Sequence, residues 1–163
     1  MLKKPRVGPR GFLWGTHADF TPVEVYAPDE RLTLAEGGAA ELRLLVRIAP
    51  GYHIVAADPG EEAAGLGLVP FRVAIVEADA SGRGMRGTAI AAYADYPEGV
   101  EFRPSEAAAG MRVYEGEFEL PVVLERPAGA ALGRPLLVVS FQACTARECL
   151  AAQRLELDVA IDG

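Results

Sequence analysis

The sequence contains two cysteines, Cys144 and Cys149, which lie in the segment FQACTARECL at residues 141–150. In one continuous strand they would be about 16 Å apart, and in a helix they would point to different sides of the cylinder. A disulfide needs Cα atoms within about 7 Å. A bond between them would therefore require the chain to turn back through residues 145–148. The strand-like segments on both sides of the pair predict a β-hairpin with the cysteines near its tip.

A cysteine pair at the tip of a hairpin has two principal uses. As a structural clip it would stabilise the fold by only about 2 kcal/mol, because the loop that it closes is short. As a redox couple it would be reached by incoming thiolates, which exchange with a disulfide through a mixed disulfide. Arg147 favours a nearby thiolate and Glu148 opposes it. These residues alone favour neither use over the other.

A metal site is a third use of the cysteines. Zinc usually takes four ligands, but His17 and His53, the two histidines, are far from both cysteines in the sequence. A blue-copper site needs two histidines and a cysteine, usually with an axial methionine, and no histidine follows Cys149. We therefore expect no metal and no cofactor. A nucleophile pair of Cys144 with His53 is conceivable, but disulfide chemistry is the simpler use of two cysteines. His53 is expected to fix a loop through a hydrogen bond at the start of a strand.

The elements that must position the cysteines are strands. Segment 40–49 alternates apolar and polar residues, with Leu42, Leu44, Val46 and Ile48 on one face, which is typical of a half-buried strand. Similar patterns occur at 23–27, 52–56, 71–78, 112–120, 136–143 and 154–161. Turn residues separate these segments, and no amphipathic helix lies between them. The pattern predicts an all-β fold, an antiparallel sandwich or barrel, with longer loops at 57–69 and 93–111.

The composition limits the number of domains and the kind of partner. The chain has 163 residues, of which 50% are hydrophobic, so it is long enough for one domain with a real core. We predict a flexible lead-in or linker at 1–19 and one domain at 20–163. The net charge of −7 argues against a nucleic-acid partner. No apolar run approaches the length of about 18 residues that a membrane span requires.

Several segments, taken in order, resemble a known family. They are PGYHIVAADP at 50–59, YPEG at 96–99, VYEGEFELPVVL at 113–124 and FQACTARECL at 141–150. This order is similar to that of the N-terminal periplasmic domains of the DsbD family of thiol:disulfide interchange proteins, over about residues 20–162. The most specific element is Gln142-Ala143-Cys144 at the end of an apolar strand, followed by a second cysteine. The resemblance implies an immunoglobulin-like antiparallel β-sandwich.

The resemblance also implies a function. In that family the cysteines accept electrons from a thioredoxin-like domain and pass them to periplasmic disulfide isomerases and cytochrome c maturation proteins. Cys144 and Cys149 would be the catalytic pair of a periplasmic or otherwise extracytoplasmic exchange module. The alternative is a non-catalytic immunoglobulin-like binding module with a structural hairpin disulfide. We expect Cys149 to attack first, because Cys144 ends an apolar strand and should be more buried, and the resemblance implies the same order.

One part of the family pattern is absent from this sequence. Family members carry an aromatic cap loop over the cysteines, where this chain has the small and acidic residues of 105–110. Another ring would then shield the reduced pair, or the shielding would be looser. The candidate cap residues are Glu106, Ala107, Ala108, Ala109, Gly110, Tyr96 and Phe102.

Overall fold

The computed structural model describes residues 21–81, 84–105 and 110–163. Within these ranges the chain forms fourteen strands and one short helix. In chain order they are β1 (Val23–Tyr26), β2 (Arg31–Thr33), β3 (Ala39–Ile48), β4 (His53–Val55), α1 (Glu61–Ala64), β5 (Arg72–Ala78), β6 (Met85–Arg86), β7 (Ala91–Ala94), β8 (Val100–Phe102), β9 (Met111–Tyr114), β10 (Glu117–Glu125), β11 (Pro135–Phe141), β12 (Ala143–Cys144), β13 (Gln153–Glu156) and β14 (Ala160–Asp162). The predicted lead-in at 1–19 lies outside the described residues and stays a prediction.

Three antiparallel sheets form the body of the domain. Their strand orders are β1-β3-β10-β7, β13-β11-β5-β6 and β12-β4-β9-β8, and a parallel pair joins β14 to β2. The predicted all-β, immunoglobulin-like antiparallel β-sandwich is confirmed. No helix in the described part of the chain is long and apolar enough to span a membrane.

The core forms where the apolar faces of the sheets meet. Strand β3 alternates as the sequence predicts, because successive side chains of a strand point to opposite faces. Its inward residues Leu42, Leu44, Val46 and Ile48 are all buried. They belong to one buried cluster, which includes Leu120, Val122 and Leu124 of β10 in the same sheet, Leu137, Val139 and Val73 of β11 and β5 in another sheet, and Phe71 just before β5. The sheet that carries the cysteines therefore packs against a continuous hydrophobic core.

The predicted strand at 112–120 is wrong as a single element. The chain leaves β9 at Tyr114 and enters β10 at Glu117 in a different sheet. Gly116 makes this change of direction with φ of 71°, a conformation that glycine adopts at no steric cost. Its carbonyl accepts a hydrogen bond of 2.8 Å from the N–H of Ile48. The apolar pattern continues through the break, so it does not reveal the change of sheet.

Four other predicted segments also differ in the structure. The strand at 136–143 ends at Phe141 and resumes as β12 in another sheet, and the strand at 154–161 is divided into β13 and β14. The loop predicted at 93–111 contains β8, which pairs with β9. The loop at 57–69 contains the single turn of α1. For the two divided strands, pairing with other strands decides where each element ends, and a local pattern carries little information about such pairing.

Candidate functional site

The two cysteines form a disulfide at the end of a hairpin. Strands β11 and β13 are antiparallel, with Phe141 opposite Gln153, and they bring the chain to and from the pair. The S–S distance between Cys144 and Cys149 is 2.05 Å, and their Cα atoms are 3.9 Å apart. The expected turn at 145–148 is therefore present, with the bonded cysteines facing each other across it.

Hydrogen bonds close the turn on both sides of the disulfide. Beyond it, the N–H of Thr145 donates to the carbonyl of Glu148 at 2.7 Å, and before it, the N–H of Leu150 donates to the carbonyl of Ala143 at 2.8 Å. The Thr145 hydroxyl oxygen also accepts bonds of 3.2 Å from the N–H groups of Arg147 and Glu148. Threonine often starts turns in this way. Thr145 at the first position of the turn is therefore a sequence signal for the turn that the prediction did not use.

The two sulfurs belong to residues of very different exposure. Cys144 is 1% exposed and lies in the interior, whereas Cys149 is exposed, as are Arg147 and Glu148 before it. Solvent therefore reaches Cys149, while Cys144 is covered. This is the difference in burial that the sequence analysis expected.

Gln142 fixes the hairpin to the neighbouring segments. It lies between β11 and β12, where the chain passes from one sheet to the other. Its side-chain Nε2 donates to the carbonyl of Leu150 at 3.1 Å, and its Oε1 accepts a bond of 3.0 Å from the N–H of Val69. Its backbone carbonyl accepts a bond of 3.3 Å from the N–H of Val55. One side chain thus ties together both limbs of the hairpin and the loop before β5.

His53 begins β4 and lies directly opposite Cys144 in the antiparallel pair of β4 and β12. It is 3% exposed. Burial lowers the pKa of His53, and the charge of Glu115 partly opposes this. The expected hydrogen bond at the strand start is not confirmed: within the described residues Nε2 of His53 has no partner. The ring packs instead against Phe102, with ring centroids 4.2 Å apart.

An open cleft lies beside the hairpin tip. Its volume is about 340 Å³, and its wall includes His53, Phe102, Glu115 and Ala146. Ala146 belongs to the hairpin turn between the two cysteines, so the cleft borders this turn. Within the described ranges, no three His, Cys, Asp or Glu side chains group together as metal ligands would.

The candidate cap residues are only partly brought to this site. Phe102 lies there, against His53. Tyr96 does not: its hydroxyl accepts a bond of 2.9 Å from the N–H of Val73, and its ring packs edge-on to Phe71 in the core. Gly110 precedes β9, and a side chain there would meet the carboxyl of Glu101. Glu106, Ala107, Ala108 and Ala109 lie outside the described residues. Whether any of these residues covers the cysteines stays a prediction.

Comparison with known proteins supports the fold expected from the sequence. No protein-family model matches the chain, and the search of curated proteins gives no match. Among solved structures, the chain has the fold of an N-terminal periplasmic domain. It is similar to the N-terminal periplasmic domain of ScsB from Proteus mirabilis, with 19% identity and a TM-score of 0.51 over 84% of this chain. The match spans 45% of the ScsB chain.

A second solved structure is also similar. It is the N-terminal domain of DsbD from Neisseria meningitidis in the reduced form, with 18% identity and a TM-score of 0.46. The match covers 91% of this chain and 96% of that one. The sandwich fold and the Cys144–Cys149 disulfide fit thiol–disulfide exchange in general.

Proposed function

We propose that this domain is a thiol–disulfide exchange module that relays electrons through the Cys144–Cys149 couple. One observation carries the proposal: a disulfide at a hairpin tip joins a buried cysteine to an exposed one. The exposed sulfur of Cys149 can be attacked by a partner thiolate, and the buried sulfur of Cys144 can leave and later return. A purely structural bridge does not require this difference in exposure.

The exchange takes place in two steps. A thiolate of a reduced partner attacks Cys149, the S–S bond breaks, and Cys144 leaves as a thiolate that takes up a proton. The mixed disulfide joins one cysteine of the partner to Cys149. The partner's second cysteine, as a thiolate, then attacks the sulfur of the partner's first cysteine, and Cys149 leaves and takes up a proton. Two electrons have passed to this domain, and the partner is now a disulfide. The same steps in reverse reduce an oxidised substrate protein.

The size of the ring supports a couple that opens and closes. The disulfide joins residues five positions apart, so in the chain-entropy model it stabilises the folded state by about 2 kcal/mol. The sheets around it hold their own core and hydrogen bonds. We infer that the fold persists when the bond is reduced, as repeated exchange requires.

The partners and location that we propose follow from the same chemistry and from the fold. A thioredoxin-like redox domain or protein would supply the electrons. Periplasmic disulfide isomerases or cytochrome c maturation proteins would receive them. Stable disulfide chemistry of this kind belongs to oxidising compartments, and the similar ScsB domain is periplasmic. We therefore place this domain in the periplasm or an equivalent extracytoplasmic space.

The test is equilibration of the couple with thiol buffers. We expect the oxidised and reduced forms to interconvert reversibly in glutathione or dithiothreitol buffers while the protein stays folded. The midpoint should lie well above roughly −300 mV, below which structural disulfides are typically found. Mass after alkylation measures the redox state, and circular dichroism monitors the fold. A bridge that resists these buffers in the folded protein would instead support a binding module with a structural clip.

A further inference from the structure

His53 and Cys144 are neighbours that the exchange chemistry described above does not use together. They are directly opposed in the β4–β12 pair, so their side chains lie on the same face of the sheet with Cβ atoms about 5 Å apart. Both are almost completely buried. Nε2 of His53 has no hydrogen-bond partner among the described residues. A buried imidazole nitrogen without a partner is costly, and its position beside a reactive sulfur suggests a use.

The buried cysteine needs help to react. When the couple is reduced, Cys144 must become a thiolate before it can attack, because the thiolate is the nucleophile. Burial disfavours a charged thiolate, and solvent does not reach this sulfur to accept its proton. A neutral imidazole beside the thiol is the usual general base for such a step. In the oxidised structure Nε2 of His53 makes no hydrogen bond to the sulfur, so the contact would have to form once the S–S bond is open.

We propose that His53 accepts the proton of Cys144 when this cysteine closes the disulfide. The inference rests on the proposed exchange function. A substrate disulfide first reacts with the thiolate of Cys149, which gives a mixed disulfide and releases one substrate thiol. Cys144 then passes its proton to Nε2 of His53 and attacks the sulfur of Cys149. The second substrate thiolate leaves and takes a proton, the protein is oxidised by two electrons, and the substrate is reduced by two.

The protonation state of His53 suits this role. Burial holds the pKa of His53 below its usual value of 6.5, so the imidazole is neutral and able to accept a proton at neutral pH. Cys144 is the proton donor opposite it, and Glu115, at the turn between β9 and β10, favours the imidazolium once the proton has arrived. Arg147 and Glu148 lie in the exposed hairpin turn at the border of the cleft.

The acidic residue of strand β8 is paired with an arginine and is not a cause of the pKa shift of His53. The Phe102 ring of this strand covers His53, and the carboxylate of the adjacent Glu101 is paired with Arg103 at 2.8 Å. The ring covers one side of the imidazole, and the direct neighbour of His53 across the strand pair is Cys144. Glu115 is therefore the acidic residue through which the basicity of His53 can be changed.

The reaction of the reduced protein with the chromogenic disulfide dithiobis(nitrobenzoate) tests this role. Each bond that breaks releases a coloured thiolate. The first phase is attack by Cys149 and scales with reagent concentration. The second phase is closure by Cys144 and does not depend on concentration. In the wild type we expect the second rate to rise with pH only up to the pKa of His53, which burial holds below its usual value of 6.5, and then to level off.

Two substitutions of His53 separate proton transfer from packing. His53→Phe and His53→Gln should each slow the second phase about 10-fold or more at pH 7, in line with the loss of a general base. In both variants the rate should continue to rise with pH, and the first phase should not change. Glutamine keeps a polar side chain that forms hydrogen bonds but does not titrate. Rescue by glutamine would therefore show a structural role and overturn the proposal.

Further variants make the result independent of whether His53→Phe folds. Glu115→Gln should move the midpoint of the second phase to lower pH, because the charge that raises the pKa of His53 is removed. His17→Gln removes the other histidine of the sequence and should leave both phases unchanged. A second phase identical in wild type, His53→Gln and Glu115→Gln at every pH would overturn the role of His53 while the exchange function stands. Absence of any second phase in the wild type would instead contradict the exchange function itself.

Discussion

The side-chain amide of Gln142 donates a hydrogen bond to the carbonyl of Leu150 across the cysteine hairpin. The same amide accepts a bond from the N–H of Val69, so it joins the two limbs of the hairpin to the loop before β5. The position of Cys149, which precedes Leu150 in the chain, depends on this bridge. The site is therefore held in place by a residue that takes no part in the chemistry.

Substitution of this bridge should destabilise the domain and loosen the hairpin. Gln142→Leu leaves two half-buried groups, the N–H of Val69 and the carbonyl of Leu150, without their partner, which should cost about 1–3 kcal/mol in total because solvent partly reaches both groups. We expect the free energy of unfolding to fall by about that amount in urea titrations. Gln153→Leu, at an exposed position of β13, is the matched control and should change it by less than about 0.5 kcal/mol. Equal effects of the two substitutions would contradict the role of the bridge.

The difference in exposure between the cysteines predicts which one a partner meets first. Cys144→Ser leaves the exposed Cys149 and should still form a mixed disulfide with a thioredoxin-like protein whose second cysteine has been removed. Cys149→Ser leaves only the buried Cys144 and should form little of it. Non-reducing electrophoresis after mild oxidation measures both adducts. If Cys149→Ser forms more of the mixed disulfide than Cys144→Ser does, the order of attack is the reverse of the one proposed.

Phe102 is the aromatic residue that the structure places beside His53, and we expect it to shield the reduced pair. Phe102→Ala should raise the rate at which iodoacetamide modifies the reduced protein several-fold, since less apolar area would then separate the sulfurs from solvent. It should also cost about 2 kcal/mol of stability, because the ring is half-buried. Tyr93→Ala removes an exposed ring of another sheet and serves as the control. Unchanged alkylation in Phe102→Ala would show that another segment covers the cysteines.

Glu24 should make the stability of the domain depend on pH. Its carboxyl is buried opposite Arg47 in the β1–β3 pair. Burial raises the pKa of Glu24 from its usual value of 4.5 to about 7, against the opposing effect of the Arg47 charge. Between these two values the unfolded chain has lost the proton and the folded chain still holds it. Stability should therefore fall as the pH rises from about 4.5 to 7, by about 3 kcal/mol at most.

The variant Glu24→Gln tests this dependence. It should be more stable than the wild type at pH 8 and close to it at pH 4.5, so that its stability changes less between these two values. Glu119→Gln alters an exposed carboxylate that pairs with Arg43 and should keep the pH profile of the wild type. Thermal unfolding in matched buffers gives the comparison. A profile of Glu24→Gln parallel to that of the wild type would mean that this carboxyl is ionised in the folded protein.

The sequence predicts the sandwich and the cysteine hairpin well because both depend on local signals. The alternation of Leu42, Leu44 and Val46 marks the inward face of β3. The cysteines with strand-like segments on both sides mark the hairpin. These patterns depend only on the two-residue period of a strand and on the reach of the chain between the cysteines.

The rest of the site depends on contacts between distant segments. The pairing of His53 with Cys144 follows from the register of β4 against β12, and two strands of two or three residues carry too little pattern to indicate it. The hydrogen bonds of the Gln142 side-chain amide are also not visible in the sequence, because they depend on the change of sheet after Phe141. Burial of Glu24 is equally hidden, because an acidic residue in an alternating strand predicts a solvent-facing side chain.

The disulfide ring connects the oxidation state of the domain to its lifetime in the cell. Proteases cleave the transiently opened population of a folded protein, so turnover follows the free energy of opening. The ring between residues five positions apart constrains little of the unfolded chain, and the sheets set most of that free energy. The stabilisation of about 2 kcal/mol by the ring still corresponds to a roughly 30-fold smaller opened population in the oxidised form. Reduced molecules should therefore be degraded faster than oxidised ones, and a shift in redox balance would change both how many molecules can donate electrons and how long those molecules last.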